Sequence, residues 1–383
     1  MNRGMLARRR MLGAAGTAAL LLPLVARHAS AADRLLAVQI GSLADPAAVP
    51  EAVQLGEGMR AAFAAVNVRG GVNGQPVELL QLDDGNDLAR FEQRFAEALA
   101  QRPLALLSLY GSPTVQRVLQ RRLLDAADTV VLNAVPGAEA FRDPGHPKLF
   151  HLRAGDGQQI ERIVRHVKVL GIRRIGLLYV DAPGGHSGLA AANAAARAAG
   201  GVEVQGVKAT LDAASLQAAA RALASAELPC AVVMGPPRFM ADAVAALRAA
   251  GFSQSVYAVS YLSPELLVQV AGRGAHGVGL SQAFPNPMGV VLPLQRELQA
   301  AMRSTFPALK QLSAFHLEGY VCARLFIEVA RRMKGRSSDE FIRTLRALGE
   351  IDLGGFRLDF SRGNVGSRFV DIGIVKADGR LAY

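Results

Sequence analysis

Hydrophobic and polar positions along the chain alternate between two kinds of segment. Compact apolar runs rich in β-branched residues lie at 35–40, 77–82, 104–109 and 129–132, and between them run longer stretches, 51–66, 87–100 and 114–126, whose apolar residues recur at helical spacing. The first kind reads as strands and the second as amphipathic helices. The alternation resumes after Arg153, with helices predicted at 158–170, 187–199, 213–224 and 238–250 and strands at 174–179, 202–207, 230–234 and 255–259. Strand followed by helix, repeated, implies parallel sheets whose right-handed crossovers cover both faces. The expected fold class is therefore α/β, in two doubly wound lobes. Gly70 and Gly71 supply the turn after the first helix, and Asn73-Gly74 the reversal into the next strand. No low-complexity tract or long linker separates the two series, so the lobes should be tightly connected.

Composition agrees with that picture and narrows it. A chain of 383 residues that is 51% hydrophobic is globular, and at about 150 residues per domain it fits two domains. Two cysteines are too few for a disulfide scaffold, and no bridge is expected between Cys230, in a predicted strand of the second lobe, and Cys322, in a helix of the first. The net charge of +11 suggests a nucleic-acid partner at first sight. Five of those charges, Arg3, Arg8, Arg9, Arg10 and Arg27, sit in the first 31 residues, and without them about +6 remains. That segment also has a basic start, an apolar run at 11–25 and small residues at Ala29-Ser30-Ala31. It reads as an export signal cut near Ala31, too short in its apolar part to span a membrane. Arg8-Arg9-Arg10-Met11-Leu12 suits the twin-arginine route, although an ordinary secretory signal also carries arginines. The remaining chain has no basic run interleaved with aromatics and only 5% aromatic residues, so no nucleic acid is expected.

The run Asn67-Val68-Arg69-Gly70-Gly71-Val72-Asn73-Gly74-Gln75-Pro76-Val77-Glu78-Leu79, closed by Asp83-Asp84-Gly85, resembles the N-terminal signature of type I periplasmic solute-binding proteins, in particular the branched-chain amino acid (Leu/Ile/Val)-binding family of ATP-driven importers. The resemblance continues in order through Gly111-Ser112-Pro113-Thr114, Gly137-Ala138-Glu139, Phe150-His151-Leu152-Arg153-Ala154, Gly171-Ile172-Arg173-Arg174-Ile175, Glu318-Gly319-Tyr320 and Leu353-Gly354-Gly355-Phe356. It implies two lobes joined by a three-strand hinge that close over a small solute. We place one lobe at 33–151 plus 282–350 and the other at 152–281 plus 351–383. It also implies an inner-membrane ABC permease as partner, a periplasmic location, no cofactor and no catalysis.

In open α/β sheets ligands sit beyond the carboxyl ends of the strands, where the next helix offers free N–H groups. The loop Tyr110-Gly111-Ser112-Pro113-Thr114 is such a place: Gly111 permits close approach, Ser112 offers a hydroxyl and Pro113 suits a first helical turn. It is either an ordinary helix cap or, as the resemblance implies, the receiver of a ligand carboxylate. Asn133-Ala134-Val135-Pro136-Gly137 would face it, with Asn133 and Ala134 at the ligand. Amino-acid binders of the family carry a hydroxyl where this chain has Pro136, and a carboxylate for the ligand ammonium near Ser260. With both missing, a buried ammonium lacks its partner, which disfavours a free α-amino acid. Asp156 either restores a carboxylate or is a solvated helix cap. Tyr261 and Phe315 are candidate aromatic walls or core residues.

Other motifs lack their context. Gly272-Arg273-Gly274-Ala275-His276-Gly277 precedes a strand at 278–280 instead of following one, so it reads as a turn and not a dinucleotide site. Gly185-His186-Ser187-Gly188 lacks the last glycine of a nucleophile elbow. Asp83-Asp84 reads as structural, and His146 and His151 lack partners for a metal. The expected function is noncatalytic capture of a small carboxylate, amide or amino-acid-like solute. A ligand-sensing module for a membrane receptor, an exported α/β enzyme, and a cleft that binds nothing small are the alternatives.

Overall fold

The computed structural model describes residues 34–46 and 49–383. The expected export signal at 1–31 lies outside the described residues. The chain begins with β1 (Leu35–Gly41), α1 (Pro50–Asn67), β2 (Val77–Asp83), α2 (Leu88–Ala100), β3 (Ala105–Leu109), α3 (Ser112–Gln120), β4 (Val130–Ala134) and β5 (Leu149–Phe150). These five strands form one sheet in the order β2-β1-β3-β4-β5, parallel throughout. The helix expected to run to 126 stops earlier. Arg122 takes a left-handed conformation, and the N–H groups of Arg122 and Leu123 return to the carbonyls of Leu119 and Val118, a helix-ending motif that satisfies the last carbonyls.

The second series is α4 (Asp156–Val169), β6 (Arg174–Val180), α5 (Pro183–Ala199), β7 (Glu203–Ala209), α6 (Ala213–Ser225), β8 (Cys230–Met234), α7 (Pro237–Ala249), β9 (Ser255–Ala258), α8 (Pro264–Ala271) and β10 (Gly279–Gln282). The glycine-rich segment before β10 is a short 3-10 turn at Gly272–Ala275, as its position before a strand implied. The chain then crosses back for α9 (Pro293–Thr305), α10 (Ala314–Arg332), α11 (Ser338–Ala347) and the hairpin of β11 (Glu350–Asp352) with β12 (Arg357–Asp359). It returns for β13 (Asp371–Val375) and β14 (Leu381–Ala382). The second sheet has the order β14-β13-β10-β9-β8-β6-β7, and it is not wholly parallel: β13 runs antiparallel to both β10 and β14. A strand that re-enters from the other lobe needs no helical crossover, so nothing forces it parallel.

The second sheet carries one continuous core and the first sheet two, one of which, on Val38, Phe91, Val115 and Val131, lies against α2 and α3. The core of the second sheet is built on Ile175–Val180, Val232, Met240 and Val256, and the larger core of the first sheet on Leu35, Leu107, Leu132 and the apolar face of α10. Leu353, Phe356, Leu358 and Phe360 pack into the core of the first sheet, so the chain from 351 onward is not all with the second lobe, contrary to the expected boundary. The hairpin lies on that larger core, and the chain rejoins the second sheet only at Asp371. The chain thus passes between the sheets three times: after Phe150, after Gln282, and between Asp359 and Asp371.

α1 and α10 are held in close contact by glycines. A Cβ on Gly58 would lie 2.0 Å from the His316 carbonyl oxygen, and one on Gly319 would lie 2.0 Å from that of Leu55. This crossing fixes the position of α10, whose side chains reach the carboxyl ends of the first sheet.

Candidate functional site

The carboxyl ends of β3 and β4 lie side by side, with Leu107 opposite Leu132 and Leu109 opposite Ala134. Between these pairs Ser108 and Asn133 both adopt left-handed backbone conformations, at φ 52° and 74°. Such residues cost about 1–3 kcal/mol each and persist only where surroundings fix them. Here the fixing group is Asn133 itself, fully buried, whose Nδ2 donates to Ser108 Oγ at 3.2 Å and to Glu318 Oε1 of α10 at 3.0 Å. Asn133 is therefore occupied in the wall of the site and does not face the gap as a free ligand donor. Ala134 is buried too, and its carbonyl accepts from His151 Nδ1 at 2.7 Å.

The other expected loop is open. Gly111, at φ 96°, turns the chain into α3 with no side-chain cap on the helix, and Ser112 is exposed at its first position. The Tyr110 ring, half-buried, meets Phe315 of α10 edge-on with centroids 6.1 Å apart. Glu51, near the start of α1, hydrogen-bonds Tyr110; burial raises its carboxyl, and Glu265 of the second lobe raises it further.

Arg153, in the first passage between sheets, holds the centre. Only 2% exposed, it donates from Nη1 to Glu318 Oε2 at 3.1 Å and from Nη2 to Ser260 Oγ, in the loop after β9. Its guanidinium lies over the Tyr261 ring at 4.7 Å and near that of Phe315 at 5.8 Å. Burial pushes the Glu318 carboxyl up and Arg153 pulls it down; at Arg153 burial is the largest single influence and lowers the guanidinium, but Glu318, Tyr261, Asp156 and Tyr110 together more than offset it and the net direction is up. Ser260 is set from behind by Gln159 of α4, whose Oε1 accepts from the Ser260 N–H at 2.9 Å and from Ser281 Oγ at 2.7 Å.

Tyr261 packs against the cores of both sheets. Its hydroxyl donates to Asp156 Oδ1 at 2.9 Å. Asp156 is thus a buried member of the site, not a solvated cap; burial raises its carboxyl against the lowering effects of Tyr261, Arg142 and Arg153. Gly137 faces this pair so closely that a Cβ there would stand 2.3 Å from Tyr261 Oη and 2.4 Å from Asp156 Oδ1. Arg142 closes the base, donating to the Arg153 carbonyl at 3.0 Å. The structure thus gathers Tyr110, Ser260, Tyr261 and Phe315 around Arg153, leaves Gly111 and Ser112 on an adjoining open edge, and puts Asn133 and Ala134 behind the wall. Arg153, Glu318, Arg142 and Gln159 were missed as site residues. Phe150-His151-Leu152-Arg153-Ala154 and Glu318-Gly319-Tyr320 carried the resemblance, but nothing local shows that charges 165 residues apart meet.

The cysteines are remote from this chemistry. Cys230 and Cys322 are free and buried in different cores, and burial pushes both thiols up to about 12.

Two wound sheets with polar groups converging between their strand ends define a solute-binding architecture, the type I periplasmic binding protein fold. The chain belongs to the periplasmic binding protein family, whose sequence profile matches residues 37–379. An extracellular ligand-binding receptor from Verminephrobacter eiseniae is 44% identical over 91% of this chain and 100% of its own, with a TM-score of 0.87. A possible leucine/isoleucine/valine-binding protein from Rhodopirellula baltica matches at 22% identity, 92% and 98% coverage and a TM-score of 0.82. An ABC transporter substrate-binding protein from Desulfitobacterium hafniense in complex with Leu matches at 17%, 91% and 99%, with a TM-score of 0.77. No curated protein matches the chain. Among the described residues no helix is long and apolar enough to cross a membrane.

Proposed function

We propose that this protein is the periplasmic substrate-binding component of an ABC importer, and that it captures a small carboxylate, amide or amino-acid-like solute between two lobes. The observation that carries this reading is Arg153, which touches α10 on one side and the Ser260 loop on the other. A group placed there responds to the distance between the lobes. The three passages of chain between the sheets act as the hinge, and solute that bridges the two surfaces shifts the population toward the closed form recognised by the permease. The lobes correspond to the two sheets and the cores packed on them, with the hairpin 350–359 on the first. The segment 1–31 exports the chain by the twin-arginine or the general secretory route.

Native mass spectrometry of the purified protein should show a copurifying small molecule, and adding that molecule back should raise Tm with concentration. Chemical conversion of the solute on incubation would replace this reading with an enzymatic one. If the Ser112 hydroxyl contacts the solute, Ser112→Ala should weaken calorimetric affinity by about 1 kcal/mol; an unchanged Kd would remove Ser112 from the site. The 44% identical relative is described as a receptor, which favours a sensory role as second reading. Solute uptake by cells lacking the protein separates the two, because only loss of import fits a transporter component.

A further inference from the structure

The second passage between the sheets ends in an exposed apolar loop. Met288, Val290 and Val291 are 42%, 65% and 82% exposed, and among the described residues no other four consecutive positions hold three exposed large apolar side chains. The loop is held rigidly. Prolines stand at 285, 287 and 293, and three side chains of α9 bind the backbone between them. Gln295 Nε2 donates to the Asn286 carbonyl at 2.7 Å, and Gln299 Nε2 to those of Pro287 at 3.0 Å and Gly289 at 2.7 Å. Arg296 Nη1 donates to the carbonyls of Val290 at 2.6 Å and Val291 at 3.0 Å. The Leu292 N–H donates in turn to Gln295 Oε1 at 2.8 Å, and the Met288 N–H to Asn286 Oδ1 at 2.9 Å. Polar backbone is thus turned inward while apolar side chains are held outward.

That division suits one kind of partner. A protein interface carries about one hydrogen bond per 100–200 Å², whereas these carbonyls are already occupied. A loop that meets the acyl boundary of a bilayer loses water from its backbone, so its polar groups must be satisfied within the protein. Arg296 stands exposed at the neck of the loop. Glu297 beside it is paired with Arg324, and Asp352, in the hairpin packed against Leu292, is paired with Arg357. A cation beneath an apolar tip matches an anionic headgroup layer, and the charge of about +6 that remains without the first 31 residues favours the same surface. A second copy would bring like charge to like.

We propose that the loop 286–292 rests the protein on an anionic lipid surface, with Met288, Val290 and Val291 at the acyl boundary and Arg296 among the headgroups. This goes beyond solute capture and does not depend on it, so either can fail alone. Three apolar side chains and one cation give weak, reversible attachment, which keeps the protein near a membrane without fixing it there.

Attachment is read by sedimenting the chain from Ala32 onward with vesicles, because the apolar run at 11–25 would enter a bilayer by itself. Vesicles of equal parts phosphatidylglycerol and phosphatidylethanolamine are compared with phosphatidylcholine alone. The unaltered protein should bind the anionic vesicles at least about fivefold more tightly. Val290→Ser with Val291→Ser should lower that binding at least about tenfold, and Met288→Ser about threefold. Val68→Ser, at an equally exposed valine just after α1, should leave it unchanged. All four side chains are exposed, so the fold is retained, and circular dichroism with Tm checks that it is. Absence of binding to the anionic vesicles overturns the proposal, as do equal binding to phosphatidylcholine and binding that survives both the double change and Met288→Ser. Sedimentation velocity without lipid supplies the remaining outcome: a dimer that the double change returns to monomer assigns the loop to a second copy and overturns the lipid assignment.

Discussion

His151 shows how a single buried ring ties the site to pH. It is 1% exposed, adjacent to the passage that carries Arg153, and burial followed by the charge of Arg142 lowers its pKa from 6.5 to about 3. The unfolded chain therefore binds a proton that the folded chain refuses between about pH 6.5 and pH 3. The stability that depends on the neutral ring is whole above that window and falls as pH drops, by about 1.4 kcal/mol per unit. Raised carboxyls such as Glu318 and Asp156 act in the opposite sense, so the informative quantity is a difference between variants. Urea unfolding from pH 7 to pH 4 should show a shallower acid loss in His151→Gln than in the unaltered protein. Parallel pH profiles would mean that the ring is protonated when folded. Gly137 makes a second residue-scale test. Gly137→Ala drives a methyl against Tyr261 Oη and Asp156 Oδ1, and overpacking of this kind costs about 1–3 kcal/mol. Since the two sides meet there, the strain should appear as weaker solute binding in calorimetry, and an unaltered Kd would show that the loops part freely.

At the scale of elements, the crossing of α1 and α10 matters most, because α10 carries Phe315 and Glu318 to Tyr110, Asn133 and Arg153. The approach is backbone to backbone, so a methyl has no flexible neighbour to push aside. Gly319→Ala and Gly58→Ala should each lower unfolding free energy by at least about 1–3 kcal/mol in chemical denaturation. Gly319→Ala should also weaken solute affinity, since a shift of α10 moves Glu318 away from Arg153 and Asn133. Stability loss without any change in affinity would show that the site tolerates displacement of this helix. The cap of α10 is legible in sequence: Ser313 Oγ accepts from the His316 N–H, while His316 Nδ1 accepts from the Ser313 N–H at 2.9 Å. Antiparallel β13 is not legible, since its partner β10 is 89 residues away in sequence and set by the third passage between lobes.

For the whole molecule, the decisive feature is the set of groups that join the two sides. Tyr261 packs against both, and Arg153 bonds to both. Polar groups of this kind can exchange partners when lobes separate, which suits an equilibrium between open and closed forms differing by a few kcal/mol. Small-angle X-ray scattering of the purified protein should therefore show a smaller radius of gyration once the copurifying solute is added to protein stripped of it. Identical scattering with and without bound solute would argue for a rigid receptor.

The alternation of strand and helix lengths determined the α/β class and most element positions, because periodicities of two and of 3.6 residues are local properties of the chain. The motifs of the family determined the order of its pieces and the loop at Ser112. Tertiary structure alone decided that Asn133 turns into the wall, that Asp156 is buried, that the hairpin at 350–359 lies on the larger core of the first sheet, and that Arg153 and Glu318 meet between Tyr261 and Phe315. The reason is the range of the forces involved. Helix and strand patterns are written within a dozen neighbouring residues, whereas a buried charge takes its role from partners a hundred or more residues away, and only packing chooses which they are.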